Sequence, residues 1–360
     1  MLVFSMLGAL DRIIGNKFGL GKEFERGFML LGNMALSMIG MIVISPLLAQ
    51  WLAPCFDWIY ATFRIDPSII PAAVFANDMG GAPLSKEIAQ NPSIGMFNAL
   101  VVSSMMGCTI SYTIPYALGV VKQEKQKELF LGFLCGFVTI PVGCLPVGLG
   151  MGIAVGPLLL NLLPLILFSG VIVCCLLLLP NGTVRFFTWF GVAMKGLITC
   201  GLVVGMLEFL LGKELLPGLA TLTEASDICI NAAVVLSGAF PLMFVVSKLL
   251  AKPIRKLGQL FRINDTAALG FVSSIVTNAT SMEMINTMDP KGAVLNAAFA
   301  VSASFTFGGH LAFTMAFDEK YVLPMIAAKL IAGVSAVAVA LLIYRRMYGK
   351  KQIETTIEIR

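Results

Sequence analysis

Hydrophobic positions along this chain come in long unbroken blocks, not in the short alternations of strands or the one-sided stripes of soluble helices. Stretches of the twenty or so apolar residues needed to cross a bilayer core occur at about 28–53, 94–121, 129–152, 157–179, 187–211, 228–250, 293–316 and 321–344. Two further apolar segments, about 67–88 and 266–287, are interrupted by polar residues. The first holds Asn77-Asp78-Met79-Gly80-Gly81 and Lys86-Glu87, the second Thr277-Asn278-Ala279-Thr280-Ser281 and Glu283.

The interrupted segments sit in a repeat. Phe63-Arg64-Ile65-Asp66 answers Phe261-Arg262-Ile263-Asn264, Asn91-Pro92 answers Asp289-Pro290, and Asn98-Ala99 answers Asn296-Ala297, always 198 positions apart. Leu10-Asp11 likewise parallels Leu207-Glu208, one position off that spacing. A duplicated membrane unit points to transport, because such folds often face two repeats across a site at mid-membrane. The expected organisation is a first repeat over 1–153 with a shortened first helix, a linking helix over 154–182, a second repeat over 183–346 and a tail over 347–360.

Charge suggests how the repeats lie. Lys248, Lys252, Arg255, Lys256 and Arg262, and then Arg345, Arg346, Lys350 and Lys351, mark two cytoplasmic stretches. Between them only 293–316 and 321–344 cross if 266–287 is a re-entrant hairpin entering from inside. Lys17, Lys22, Arg26, Lys122, Lys125 and Lys127 fall inside and Glu214, Glu224 and Asp227 outside, which makes 67–88 a hairpin entering from outside and the repeats inverted. Parallel repeats of full spans are the alternative. The predicted fold is thus all-α, polytopic, with two inverted repeats and a broken helical hairpin in each.

Composition agrees on the solvent. The chain is 58% hydrophobic and 12% charged, with mean hydropathy +0.90, against roughly 25% charge in soluble domains. A net charge of +5 concentrated in short loops reads as membrane orientation, not nucleic-acid binding. Eight cysteines without paired spacing read as buried core residues.

Candidate chemistry lies at the interruptions, because irregular backbone at membrane depth must be buried in protein or line a cavity. Asp78 is suited to a cationic substrate and Asn77 offers both a donor and an acceptor; alternatively Asp78 only caps the second arm of its hairpin. Asn278, Thr280 and Glu283 are the candidates opposite, with Glu283 equally suited to facing water. Ser104 and Thr109, in the helix after the first hairpin, are further candidates, though hydroxyls in membrane helices mostly bond their own backbone. His310, the only histidine, suits proton relay or substrate contact. Gly80, Gly81, Gly308 and Gly309 supply flexible points. Asn98 and Asn296 suit symmetric helix contacts. No nucleotide loop, nucleophile elbow or metal-ligand pairing occurs, so neither cofactor nor metal nor enzymatic activity is expected.

These residues resemble the EutH family of ethanolamine utilization permeases. Asp11-Arg12-Ile13, Asp78-Met79-Gly80-Gly81, Lys86-Glu87-Ile88-Ala89, Ser104-Met105-Met106-Gly107, Thr139-Ile140-Pro141-Val142-Gly143-Cys144, Leu216-Pro217-Gly218 and Asn296-Ala297-Ala298-Phe299 carry the likeness across nearly the whole length. The family pattern has an acid where this chain has Gly309, and a longer N-terminus, which shifts weight onto Asp78 as the anion. The resemblance implies uptake of ethanolamine across the bacterial inner membrane, to supply an ammonia-lyase within a microcompartment. A carrier, with lipid around it, a coupling proton or sodium ion and a homodimeric assembly, is expected. A passive pore for neutral ethanolamine and a scaffold or sensor for the microcompartment are the alternatives.

Overall fold

A computed structural model describes residues 1–358, and among them every regular element is helical. The order is α1 (Leu2–Ile13), α2 (Leu20–Met29), α3 (Leu31–Phe63), α4 (Ile69–Val74), a 3-10 turn (Asn77–Met79), α5 (Gly81–Ile88) and α6 (Pro92–Phe97). A wide π-helical stretch follows over Asn98–Gly107 and Thr109–Thr113, then α7 (Ile114–Val120), α8 (Gln126–Gly150), α9 (Val155–Leu178) and α10 (Pro180–Leu211). The second half holds α11 (Leu222–Phe261), α12 (Asp265–Val276), α13 (Asn278–Met284), α14 (Pro290–Ala303), α15 (Gly309–Asp318) and α16 (Val322–Glu358).

Among the described residues seven helical stretches are long and apolar enough to span a membrane, and the chain is a multi-pass membrane protein. Its surface fits that solvent. Leu167, Val192, Phe209 and Leu342 point outward, and all three tryptophans (51, 58 and 189) are exposed, as interface-seeking rings are. Cysteines divide: Cys108, Cys135, Cys144 and Cys229 are buried, while Cys55, Cys174 and Cys200 are exposed. The expectation of a uniformly buried set therefore fails for outward-facing positions, where an apolar solvent accepts a thiol as readily as the core does.

The expected span 293–316 is not continuous. It stops at Ala303, because Ser304 is extended and Phe305 takes φ +58°, and it restarts at Gly309. The expected tail at 347–360 continues α16 as far as Glu358; residues 359 and 360 lie outside the described residues. So do the side chains of Lys252, Arg255, Lys350 and Lys351, on which part of the orientation rested.

Residues at the repeated spacing make similar hydrogen bonds. Asp11 accepts the N–H groups of Phe18 (2.9 Å) and Gly21 (2.8 Å), and its counterpart Glu208 accepts those of Leu215 (2.8 Å) and Leu216 (3.0 Å). Each carboxylate thereby closes the turn after its helix. Asn98 donates to the Ser68 hydroxyl at 2.8 Å, and Asn296 donates to the Ala267 carbonyl at 2.8 Å. Both asparagines thus tie the helix after a broken segment to that segment's first arm.

The two ends of each broken segment are also fastened together. The Asp66 carboxylate accepts the N–H groups of Gln90 (3.1 Å) and Asn91 (2.8 Å). In the second copy Asp289 accepts the N–H of Asn264 at 2.8 Å. The acid has changed sides of the latch and the latch has stayed. Between these ends the helix breaks at Phe75-Ala76 in one copy and at Thr277 in the other, where the backbone is extended. Constant spacing would put the second break at 273-274, so it falls about one helical turn later. Asn77 and Asn278 are each the first residue past their break.

Candidate functional site

The breaks are held by neighbouring backbone. Phe305 and Phe307, in the gap between α14 and α15, donate their N–H groups to the carbonyls of Ser274 and Ile275 at 3.0 Å each. The end of α12 and the unwound segment thus satisfy one another, as buried irregular backbone requires. In the first copy the N–H of Ala76 is taken by the Ser111 hydroxyl at 3.0 Å. Glycine permits the close approach in both: Gly107 sits directly against the Phe75 carbonyl and Gly308 against the Val276 carbonyl.

The π-helical stretch leaves one carbonyl for another partner. The N–H of Cys108 bonds the carbonyls of Ser103 and Met105 and passes over Ser104. The Ser104 carbonyl instead lies 2.6 Å from Nζ of Lys329, on α16. Nζ also lies 3.2 Å from Nδ1 of His310, at the start of α15. An ammonium only donates, so Nδ1 accepts and the imidazole proton belongs on Nε2. Lys329 is fully buried and His310 nearly so. A π-segment at such a point fits the general occurrence of these distortions at functional sites.

Asp78 completes the cluster. Its turn packs against α3, α5, the π-stretch and α15. A Cβ placed on Gly309 would stand 3.7 Å from its Oδ2, so the carboxylate faces the N-terminus of α15, where free N–H groups and the helix dipole favour an anion. The charges of Asp78 and Lys329 lie close enough to influence one another. Asp78 is half-buried. Next to it the amide of Asn77 is completely buried, and neither its oxygen nor its nitrogen has a partner among the described residues. Such an orphan costs about 1–3 kcal/mol.

Of the other expected site residues, Thr109 bonds the carbonyls of Met105 and Val301 at 2.8 Å each and so fastens the π-stretch to α14. The Ser104 hydroxyl turns back to the Val101 carbonyl. Asn278 donates to the Thr113 hydroxyl at 2.7 Å and leaves its own oxygen unpartnered. Thr280 is exposed, in a crevice of about 240 Å³ with Glu23, Arg26 and Thr277. Glu283 is exposed and accepts the Tyr116 hydroxyl at 2.7 Å. From Tyr116 an aromatic run of Tyr112, Phe305 and His310 leads inward, with ring centroids 5.1–5.6 Å apart. Lys86 lies over the Phe317 ring instead of pairing with Glu87. Gly80 adopts φ +103° and closes on Met41.

No direct hydrogen bond joins the two breaks among the described residues; each meets the helix beyond the other, Asp78 at α15 and Asn278 at Thr113. Lys329 escaped the sequence reading, although a single lysine inside a long apolar helix was the available signal.

The family profile described as "Ethanolamine utilisation protein, EutH" matches residues 1–343. The chain belongs to the EutH family. It is 42% identical over 352 residues to the "Probable ethanolamine permease EutH" of Listeria monocytogenes, covering 98% of this chain and 94% of the relative. The EutH of Salmonella typhimurium, with the same description, is 34% identical, covering 95% and 93%. The "Uncharacterized protein YxeR" of Bacillus subtilis is 36% identical, covering 94% and 92%. No solved structure matches this EutH chain.

Proposed function

We propose that this chain carries ethanolamine across the bacterial cytoplasmic membrane as a secondary carrier, and that the amine binds at Asp78. The observation that carries the reading is the convergence of four chain segments on one partly accessible carboxylate: the first break, the π-stretch, the restarted α15 and Lys329 of α16. Family membership and relatives described as probable ethanolamine permeases support the substrate. Ethanolamine needs an anion for its ammonium and a neutral partner for its hydroxyl, and the unpartnered Asn77 amide supplies the second.

The two broken segments act as re-entrant hairpins of inverted repeats over 1–153 and 183–346, joined by 154–182. Closure of each hairpin base by Asp66 and Asp289 supports re-entry, since the chain returns to where it began. Contacts at each base support the inversion. Lys125 donates to the Met288 carbonyl at 2.7 Å, putting a basic loop beside the second hairpin's base. The loop after Glu214 packs against Gln50 of α3, near the first hairpin's base. The C-terminus is then cytoplasmic, and the fold suits a homodimer. Gly80, Gly81, Gly308 and Gly309 are the hinges.

The test is uptake of labelled ethanolamine by proteoliposomes containing the full chain. Asp78→Asn removes the anion proposed to bind the ammonium and leaves the buried Lys329 uncompensated, and a buried charge left without compensation costs about 3–5 kcal/mol. Uptake efficiency should fall at least about a hundredfold. Unchanged, saturable uptake by the variant would sink the role of Asp78. Unsaturable flux that follows the unprotonated fraction would mean a passive pore, and no flux at all would leave the scaffold reading.

A further inference from the structure

We propose that the Lys329 ammonium and the ammonium of the transported amine compete for the single compensating charge of Asp78, so that a substrate cation enters by displacing the lysine's proton. The proposal rests on the transport reading and adds the coupling mechanism.

Charge bookkeeping at the site leads there. With Asp78 ionised and Lys329 protonated, the empty site is neutral, and adding a substrate cation leaves one uncompensated positive charge in a buried place. Groups facing the lysine offer little relief. The π-stretch presents Cys108, α15 presents neutral His310, and α8 meets α16 on either side of the lysine through Gly143, against Ala328 and Ala332. No titratable residue of α14 lies at this depth, its one cation, Lys291, reaching the Phe261 carbonyl instead. Asp78 is the one carboxylate in the cluster, so two ammonium groups must share it or one must lose its proton.

The geometry provides for the loss. Nζ is held by a carbonyl, which binds an amine N–H as well as an ammonium N–H, and by a nitrogen lone pair, which is a proton acceptor. Facing outward, the site binds the substrate cation and Lys329 releases its proton through His310 to the outer water. Facing inward, the substrate leaves and Lys329 takes a proton from the inner water. Only N–H bonds break and form, one cation enters for one proton that leaves, and the cycle moves no net charge.

The experiment imposes an inside-negative potential on proteoliposomes with potassium and valinomycin, and reads labelled ethanolamine against protein-free vesicles. Wild-type uptake should be the same with and without the potential. Lys329→Gln has no proton to exchange, so its cycle carries the substrate's charge. A potential of 100 mV should then drive accumulation up to about fiftyfold. Lys329→Arg keeps the charge and the hydrogen bonds that folding needs, cannot release its proton, and should insert normally but fail to transport. Wild-type uptake that follows the potential, Lys329→Gln uptake that ignores it, or wild-type-like transport by Lys329→Arg overturns the proposal. Absence of any wild-type flux removes the transport reading itself, and the coupling proposal with it.

Discussion

The carbonyl oxygen of Ser104 and the ammonium of Lys329, 225 residues apart in sequence, meet at 2.6 Å inside the bundle. The contact uses main chain, and the serine hydroxyl turns away to Val101. Ser104→Ala should therefore leave ethanolamine uptake within about threefold of wild type, since a lost intrahelical hydroxyl bond is worth about 1 kcal/mol or less. Uptake kinetics of the purified variant check this, and a collapse would return the hydroxyl to the site.

Asn77 should trade affinity against stability. Replacing its buried, unpartnered amide with leucine removes an unmet polar cost, so Asn77→Leu should unfold in detergent at the same temperature as wild type or higher. The same change removes the neutral hydrogen-bonding partner proposed for the substrate, and KM should rise about tenfold. Thermal unfolding and uptake measured on one preparation decide both halves.

At Gly107 and Gly308 any side chain meets a carbonyl that cannot move without unseating a helix break. Gly107→Ala and Gly308→Ala should each cost about 1–3 kcal/mol and lower uptake. Gly119→Ala, in open space on α7, is the control and should behave as wild type.

The two latches across the broken segments should differ in strength. The Asp66 carboxylate takes three backbone N–H groups and the Ser68 hydroxyl. Asp289 takes two N–H groups, and Asn264 keeps a separate bond to the Thr287 carbonyl. Asp66→Ala should therefore destabilise by about 3 kcal/mol or more, and Asp289→Ala by less. Limited proteolysis and unfolding temperature rank them.

Much of the fold was legible because lipid imposes simple rules: long apolar runs are helices, and polar interruptions inside them are structured. The spacing of Asn98 and Asn296 picked out two buried asparagines that each bond the segment before them. The rest depended on tertiary partners. Nothing in Asn98-Ala99-Leu100-Val101 signals wide winding, which follows from packing and from the lysine that claims a carbonyl. The one-turn shift of the second break is invisible to fixed spacing, because a helix can lengthen by a turn on one arm and shorten on the other without changing the total. Lys329 was hidden by averaging: one ammonium among many alanines and valines leaves the span apolar. Asp78 stood out because its neighbours are polar too.

The seating of each break on a glycine has a consequence for how such a machine can work. Phe75 is pressed onto Gly107 and Val276 onto Gly308, so neither tip hangs free as a flap. Any opening stroke that keeps these contacts must carry a tip and the helix behind it together, as a lever moves with its fulcrum. Access to Asp78 would then be set by the rocking of whole blocks past α16, with the lysine as the fixed post against which they turn.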